Sequence, residues 1–174
     1  MTRAIAFRVL VFCVVVISDQ LSKIAAVKYL SLGNSIEVFP GFFNLTLVYN
    51  PGAAFGLFQG LTDGVRHLAL ATSTILALIV IGVLAFRDLK NDSFSLAVLS
   101  AIFGAAIGNL IDRMRYDAVV DFLDFYWGEY HWPAFNVADS VISVGVCIVV
   151  ARLFLSNSHC QQAKSSKYGC ACQE

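Results

Sequence analysis

The feature that most restricts this chain is the run 68–86, which contains no charged side chain. As a helix rising about 1.5 Å per residue it is long enough to cross the roughly 30 Å hydrocarbon core of a bilayer. Three further apolar stretches approach the same length, at about 4–21, 94–111 and 137–155. Their polar residues sit toward the ends. Arg8 lies in the first and is placed to snorkel to the nearby interface, Asn109 lies late in the third, and Asp139 and Arg152 occupy the first and last turns of the fourth. Of the 174 residues 58% are hydrophobic and 14% are charged, against about 45–50% and about 25% in soluble domains, so an aqueous fold would lack the polar surface to cover itself. The predicted class is therefore membrane α-helical, with four transmembrane helices. Arg3 and Arg8 ahead of residues 9–17 imitate a signal peptide, but no small-residue cleavage site follows, and the run is expected to stay in the mature protein.

Between the first two spans the pattern changes. Residues 34–59 are rich in aromatic and β-branched side chains and are punctuated by Pro40-Gly41 and Asn50-Pro51-Gly52. That alternation of strand formers and turn residues predicts a small β-sheet on the membrane surface. Residues 1–156 are read as one membrane-embedded domain, and the polar segment 157–174, with Cys160, Cys170 and Cys172, as a disordered, reduced tail. Gly104 and Gly108 form a small-xxx-small pair suited to close helix packing.

Charge speaks to partners and to orientation. Twelve basic and twelve acidic residues cancel, which leaves no electrostatic footprint for nucleic acid. With four spans both termini share a side. Arg3, Arg8, Arg87, Lys90, Arg152, Lys164 and Lys167 fall there, against Lys23, Lys28, Arg66, Arg113 and Arg115 opposite, a bias that puts the termini in the cytoplasm. The aromatic loop with Tyr126, Trp127, Tyr130 and Trp132 then faces outward at interface depth.

Ionisable groups are expensive within a membrane, about 2.5–3.5 kcal/mol or more at its centre, and so mark function by default. Here they gather at one edge. Asp19 and Lys23 close the first span; Asn109, Asp112 and Arg113 close the third; Asp121 follows it, and Asn136 with Asp139 opens the fourth. Spacings of three and four residues turn each set onto one helix face. Asp19 with Lys23, and Asp112 with Arg113, bring their own counter-charges and read as structural pairs. Asp121 and Asp139 have no cation beside them in sequence. Two such carboxylates held together share a proton, so that one activates water while the other protonates a carbonyl or a leaving amine. The helix dipole favours ionised Asp139, and the apolar neighbours Val119, Val120, Phe122 and Leu123 favour a protonated Asp121. Asp124 competes with Asp121 for the role, and Asn136 and Asp139 equally suit a helix cap. The three histidines are scattered without metal-ligand spacing, so no metal or other cofactor is expected. A proton-coupled transporter using Asp19, Asp112, Asp121 and Asp139 as a relay is the competing reading, although no internal repeat accompanies it.

Five segments, in order, carry a resemblance: Ser18-Asp19-Gln20-Leu21-Ser22-Lys23, Tyr49-Asn50-Pro51-Gly52-Ala53-Ala54-Phe55-Gly56, Gly108-Asn109-Leu110-Ile111-Asp112-Arg113, Val119-Val120-Asp121-Phe122 and Phe135-Asn136-Val137-Ala138-Asp139-Ser140. By them the chain resembles the lipoprotein signal peptidases, or type II signal peptidases, aspartyl endopeptidases of the bacterial inner membrane. The resemblance implies cleavage of diacylglyceryl-modified prolipoproteins just before the lipidated cysteine by Asp121 and Asp139 with water and without metal, in a monomer surrounded by membrane lipids, at the outer face of the membrane. It selects Asp121 over Asp124. It further implies that Asn50, Gly52, Asn109, Asp112, Arg113 and Asn136 shape the site or hold substrate, that Asp19 and Lys23 support it, and that the segment 34–59 is an extracytoplasmic cradle in which Phe55 and Leu57 close over the substrate.

Overall fold

The computed structural model describes residues 2–51, 72, 79, 82, 83 and 92–168. Most of the expected span 68–86, together with Gly52, Phe55 and Leu57, lies outside the described residues.

No glycine or proline interrupts the first apolar run, and α1 (Thr2–Tyr29) continues well past the expected end near residue 21. Its polar outer turns stay helical because Asp19 and Lys23 find partners on other elements rather than on their own backbone. Gly33, at φ +79°, redirects the chain into β1 (Ser35–Phe39), and the Pro40-Gly41 turn leads to β2 (Phe43–Asn50). Asp92 opens α2 (Ser93–Tyr116) by accepting from Phe94 N at 3.1 Å and from the Ser95 hydroxyl at 2.6 Å. Asp117, in the left-handed conformation at φ 54°, closes it and returns its N–H to Arg113 O at 3.1 Å. The chain then runs through β3 (Val119–Trp127) and β4 (Tyr130–His131) into α3 (Val137–Tyr168).

The strands form an antiparallel sheet in the order β1-β2-β3-β4. The expected surface sheet is present, but it is not confined to the stretch between the first two spans. β2 pairs with β3, a segment on the far side of α2, with Phe43 opposite Phe125 and Val48 opposite Asp121. In sequence this stretch presents itself as the aromatic loop with Tyr126 and Trp127, because two acids, Asp121 and Asp124, interrupt the β-branched and aromatic run that makes β3. A second departure is at the other terminus. Helical backbone continues from 137 to Tyr168, beyond the expected span end at 155 and into the segment read as a tail, where no glycine or proline stands between 155 and Gly169.

Three of the described helices are long and apolar enough to cross a membrane: Arg3–Tyr29, Ser93–Tyr116 and Val137–Phe154, with mean hydropathies of 2.1, 2.0 and 2.0. Their exposure is inverted relative to a soluble protein. Ile5, Phe7, Leu10, Val14, Ile17 and Leu21 of α1 are exposed, while Asp19 and Lys23 on the same helix are buried. A small apolar core of Leu99, Ile102 and Val149 joins α2 to α3, with Ile142 and Val146 against it. On the other side of α2 the Gly104–Gly108 stripe receives α1. A Cβ on Gly104 would stand 2.8 Å from Phe12 O, and one on Gly108 would overlap the Asp19 carboxylate. That close approach puts the acidic end of α1 directly on the acidic end of α2.

Candidate active site

At that end of the bundle the polar residues are interlocked. Lys23, the i+4 neighbour of Asp19, places Nζ 2.9 Å from Asp19 Oδ2 and 2.7 Å from Asp112 Oδ2, and donates to Asn109 Oδ1 at 2.7 Å. One buried ammonium thus serves two carboxylates and an amide, using all three of its protons. The expected pairing of Asp112 with its neighbour Arg113 is therefore corrected. Adjacent residues on a helix point about 100° apart, and Asp112 takes its cation from α1 instead. The guanidinium of Arg113 is within electrostatic reach of Asp139 and Asp121 as well as Asp112.

The same two carboxylates also hold backbone. Asp112 Oδ2 accepts from Val120 N at 3.2 Å and fixes the start of β3, and Asp19 Oδ1 accepts from Ala138 N at 3.0 Å and fixes the start of α3. Gln20, to which no role was assigned from spacing, donates to Asp112 Oδ1 at 3.0 Å and to Gly108 O at 3.1 Å. Its place in the Ser-Asp-Gln-Leu-Ser-Lys segment was the available signal. Asp19, Lys23 and Asp112 thereby tie together the two segments that carry Asp121 and Asp139.

Asn136 connects those two acids. Its Nδ2 donates to Asp121 Oδ1 at 2.7 Å, its Oδ1 accepts from Asp139 N at 2.9 Å, and its own N–H points to Asp139 Oδ2 at 3.3 Å. The last two bonds are a reciprocal capping box, with asparagine and aspartate in the usual serine and glutamate positions. The cap reading and the site reading of these residues are therefore compatible: one asparagine begins the helix and bridges the acids. Asp139 Oδ1 is held by Asn109 Nδ2 at 2.9 Å, and Asp121 Oδ2 by Asn50 Nδ2 at 3.0 Å. Each carboxylate accepts from a side-chain amide, with Lys23 behind Asn109 setting the direction of that amide.

Burial is nearly complete at Asp121, 2% exposed. Loss of water pushes its carboxyl up to about 7; the Asn50 amide opposes this, the nearby Asp139 charge adds to it, and Asn136 and Lys23 hold it back. A carboxyl in that range keeps a proton near neutrality and can still release it, which is what acid–base chemistry requires. Asp124, the sequence rival, is occupied elsewhere. His131 Nδ1 lies 2.9 and 3.0 Å from its two oxygens, and Asn44 Nδ2 lies 3.4 Å from Oδ2. Three positions along β3 from Asp121, it falls on the opposite face of the strand. Among the described residues no group of three histidine, cysteine or acidic side chains is placed to hold a metal ion. Gly52 lies outside the described residues.

The sequence matches the family model for signal peptidase (SPase) II over residues 11–155. A lipoprotein signal peptidase of Desulforapulum autotrophicum is 47% identical over 156 residues, 89% of this chain and 96% of its own. That of Burkholderia thailandensis is also 47% identical, over 137 residues, 79% of this chain and 81% of its own. Among solved structures, a bacterial membrane enzyme superposes with a TM-score of 0.75 at 34% identity, covering 89% of this chain and 92% of the other. A second gives 0.70 at 33% identity, covering 86% and 93%.

Proposed function

The chain belongs to the signal peptidase II family, and on that premise we propose that it removes the signal peptides of diacylglyceryl-modified prolipoproteins, cutting just before the lipidated cysteine with Asp121 and Asp139 as an aspartyl dyad. The observation that carries this reading is that one residue holds both carboxylates: Asn136 donates its side-chain amide to Asp121 and its backbone N–H to Asp139. The comparisons lend the transporter reading no support.

In the proposed cycle Asp139, ionised at the positive end of α3, takes a proton from water as its oxygen attacks the scissile carbonyl. Asp121, holding a proton near neutrality, gives it to the carbonyl oxygen, and a neutral gem-diol results. Collapse breaks the C–N bond; the proton on Asp139 goes to the departing amine and a diol proton returns to Asp121, so the dyad ends as it began. Asn50 and Asn136 keep the two carboxylates aimed, and Arg113 moderates the charge between them.

A lipid-anchored peptide must be met at the membrane, and the mixed architecture suits that. Its acyl chains remain among the spans, while the scissile bond, extended, reaches the wet edge where sheet and helices join. We place that edge at the outer face of the bacterial inner membrane, with the termini in the cytoplasm, residues 68–86 as a fourth span, Gly52 beside Asn50 at the site, Phe55 and Leu57 above it, and the protein acting as a monomer.

The test is cleavage of a diacylglyceryl prolipoprotein by purified protein. Wild type and Asp124→Asn are expected to release the signal peptide, and Asp121→Asn and Asp139→Asn to slow release by about 10²–10⁴-fold, the usual contribution of a positioned acid or base. Wild-type rates in either dyad variant would end the proposal.

A further inference from the structure

At the end of the bundle away from Asp19 and Asp112 lies a cavity of about 620 Å³, bounded by Arg8, Val83, Leu96, Leu99, Ser100 and Phe103. Its size falls within the roughly 300–1,000 Å³ of pockets that hold small molecules. The walls are almost entirely apolar, and the one charged group among them is the Arg8 guanidinium, two turns into α1. Arg8 Nε is buried and has no hydrogen-bond partner, and Arg8 makes no ion pair among the described residues.

Arg152, at the same end, is satisfied. Arg152 of α3 lies 3.1 Å from Asp92, which caps α2 a turn before Leu96, and its guanidinium also covers the Phe94 ring at 5.0 Å. Asp92 is itself held by Phe94 N and by Ser95. Ser100, the polar group on the cavity wall, donates its hydroxyl to Leu96 O at 2.9 Å. Asp92 therefore answers Arg152 and leaves Arg8 without a carboxylate among the described residues.

We infer that the cavity binds one anionic phospholipid, with its phosphodiester on Arg8 and an acyl chain along Leu96, Leu99 and Phe103. Charge complementarity selects the head group and the apolar wall selects the chain. A membrane supplies this ligand at the depth to which an arginine two turns from a helix start reaches by snorkelling. A planar fork of N–H donors fits two phosphate oxygens at once, which a diffuse interfacial contact does not require. The inference is independent of the peptidase reading, because none of these residues belongs to the Asp121–Asp139 site.

The experiment uses the full chain, delipidated in detergent, with native mass spectrometry to count retained lipid during titration with phosphatidylglycerol, phosphatidylcholine or inorganic phosphate. The expected result is a single phosphatidylglycerol bound at least about tenfold more tightly than phosphatidylcholine, with inorganic phosphate unable to displace it at matched concentration. Arg8→Gln is expected to remove the preference between the two lipids. Ser100→Phe, which fills the cavity and leaves Arg8 in place, is expected to weaken phosphatidylglycerol binding about tenfold. Both variants should keep the thermal transition of wild type to within a few degrees. Equal retention of the two lipids by wild type, an unchanged preference in Arg8→Gln, undiminished binding in Ser100→Phe, or full displacement by inorganic phosphate would each overturn the assignment.

Discussion

Asn136 stands 2.7 Å from Asp121 Oδ1 through its amide nitrogen, and its amide oxygen is committed to the backbone of Asp139. Neither end of the amide is free to turn without losing a bond at the start of α3, so the direction of the donor at Asp121 is fixed by helix geometry. Asn136→Ala removes the bridge and one cap interaction together. The expected outcome is a loss of kcat of about 10²-fold, the scale on which a misplaced catalytic group is felt, with a stability cost of about 1 kcal/mol from the cap alone. A prolipoprotein cleavage assay beside a thermal melt separates the two effects.

Rate should depend on pH through Asp121. With its carboxyl raised to about 7, the proton needed on the dyad is lost above neutrality, and kcat/KM is expected to fall about tenfold per pH unit on the alkaline side. Asn50 holds the ionised form, so Asn50→Ala should move that limb to higher pH as well as lowering the rate. A limb that stays in place in this variant would contradict the role given to the Asn50 bond.

Stability should carry the same signature with a definite sign. The folded chain keeps the Asp121 proton up to about 7, whereas the unfolded chain releases it near the ordinary 3.8. Between those values the folded state binds the extra proton, so this carboxyl contributes no penalty at low pH and an increasing one as pH climbs toward 7. At about 1.4 kcal/mol per unit the full penalty is a few kcal/mol. Asp121→Asn, which cannot ionise, is expected to melt above wild type at pH 8, and the difference should close as both are taken toward pH 4.

Lys23 is expected to separate structure from positioning. Lys23→Met leaves Asp19 and Asp112 buried without their cation, at a cost of about 3–5 kcal/mol, and frees the Asn109 amide that holds Asp139. Adding Asp19→Asn and Asp112→Asn removes the orphaned charges. Melting temperature should then recover substantially while cleavage stays slow, because Asn109 loses its 2.7 Å bond to Lys23 and keeps only the longer 3.3 Å one from Asn136 Nδ2. Recovery of both together would make Lys23 purely structural.

Much of this was legible in the chain because membranes make polar residues conspicuous. The described spans, the surface sheet and the edge cluster of Asp19, Lys23, Asn109, Asp112, Asp121, Asn136 and Asp139 all follow from apolar length and from polar residues placed where they are costly. Pairing was less accessible. Helical spacing gave Asp112 a neighbour in Arg113, but its cation comes from a residue 89 positions earlier, and only three-dimensional packing across the Gly108 stripe brings Lys23 there. β3 was missed for a related reason. Asp121 and Asp124 break its apolar pattern, and each is satisfied by a residue remote in sequence, Asn136 or Asn50 for one and Asn44 for the other. Acids that look like loop signals are strand residues once their partners arrive.

The pairing of β2 with β3 spans the whole of α2, and Asn136 and Asp139 come later still. A ribosome delivers these parts in order. A nascent chain that has reached Tyr116 already owns Asp19, Lys23, Asn50, Asn109 and Asp112, yet has neither acid of the proposed dyad. Through residues 117–138 it gains only Asp121 of the two. On the proposed dyad, the site is complete only once the start of α3 has been made and Ala138 N reaches Asp19, so the last part of the site to be synthesised is held by the first.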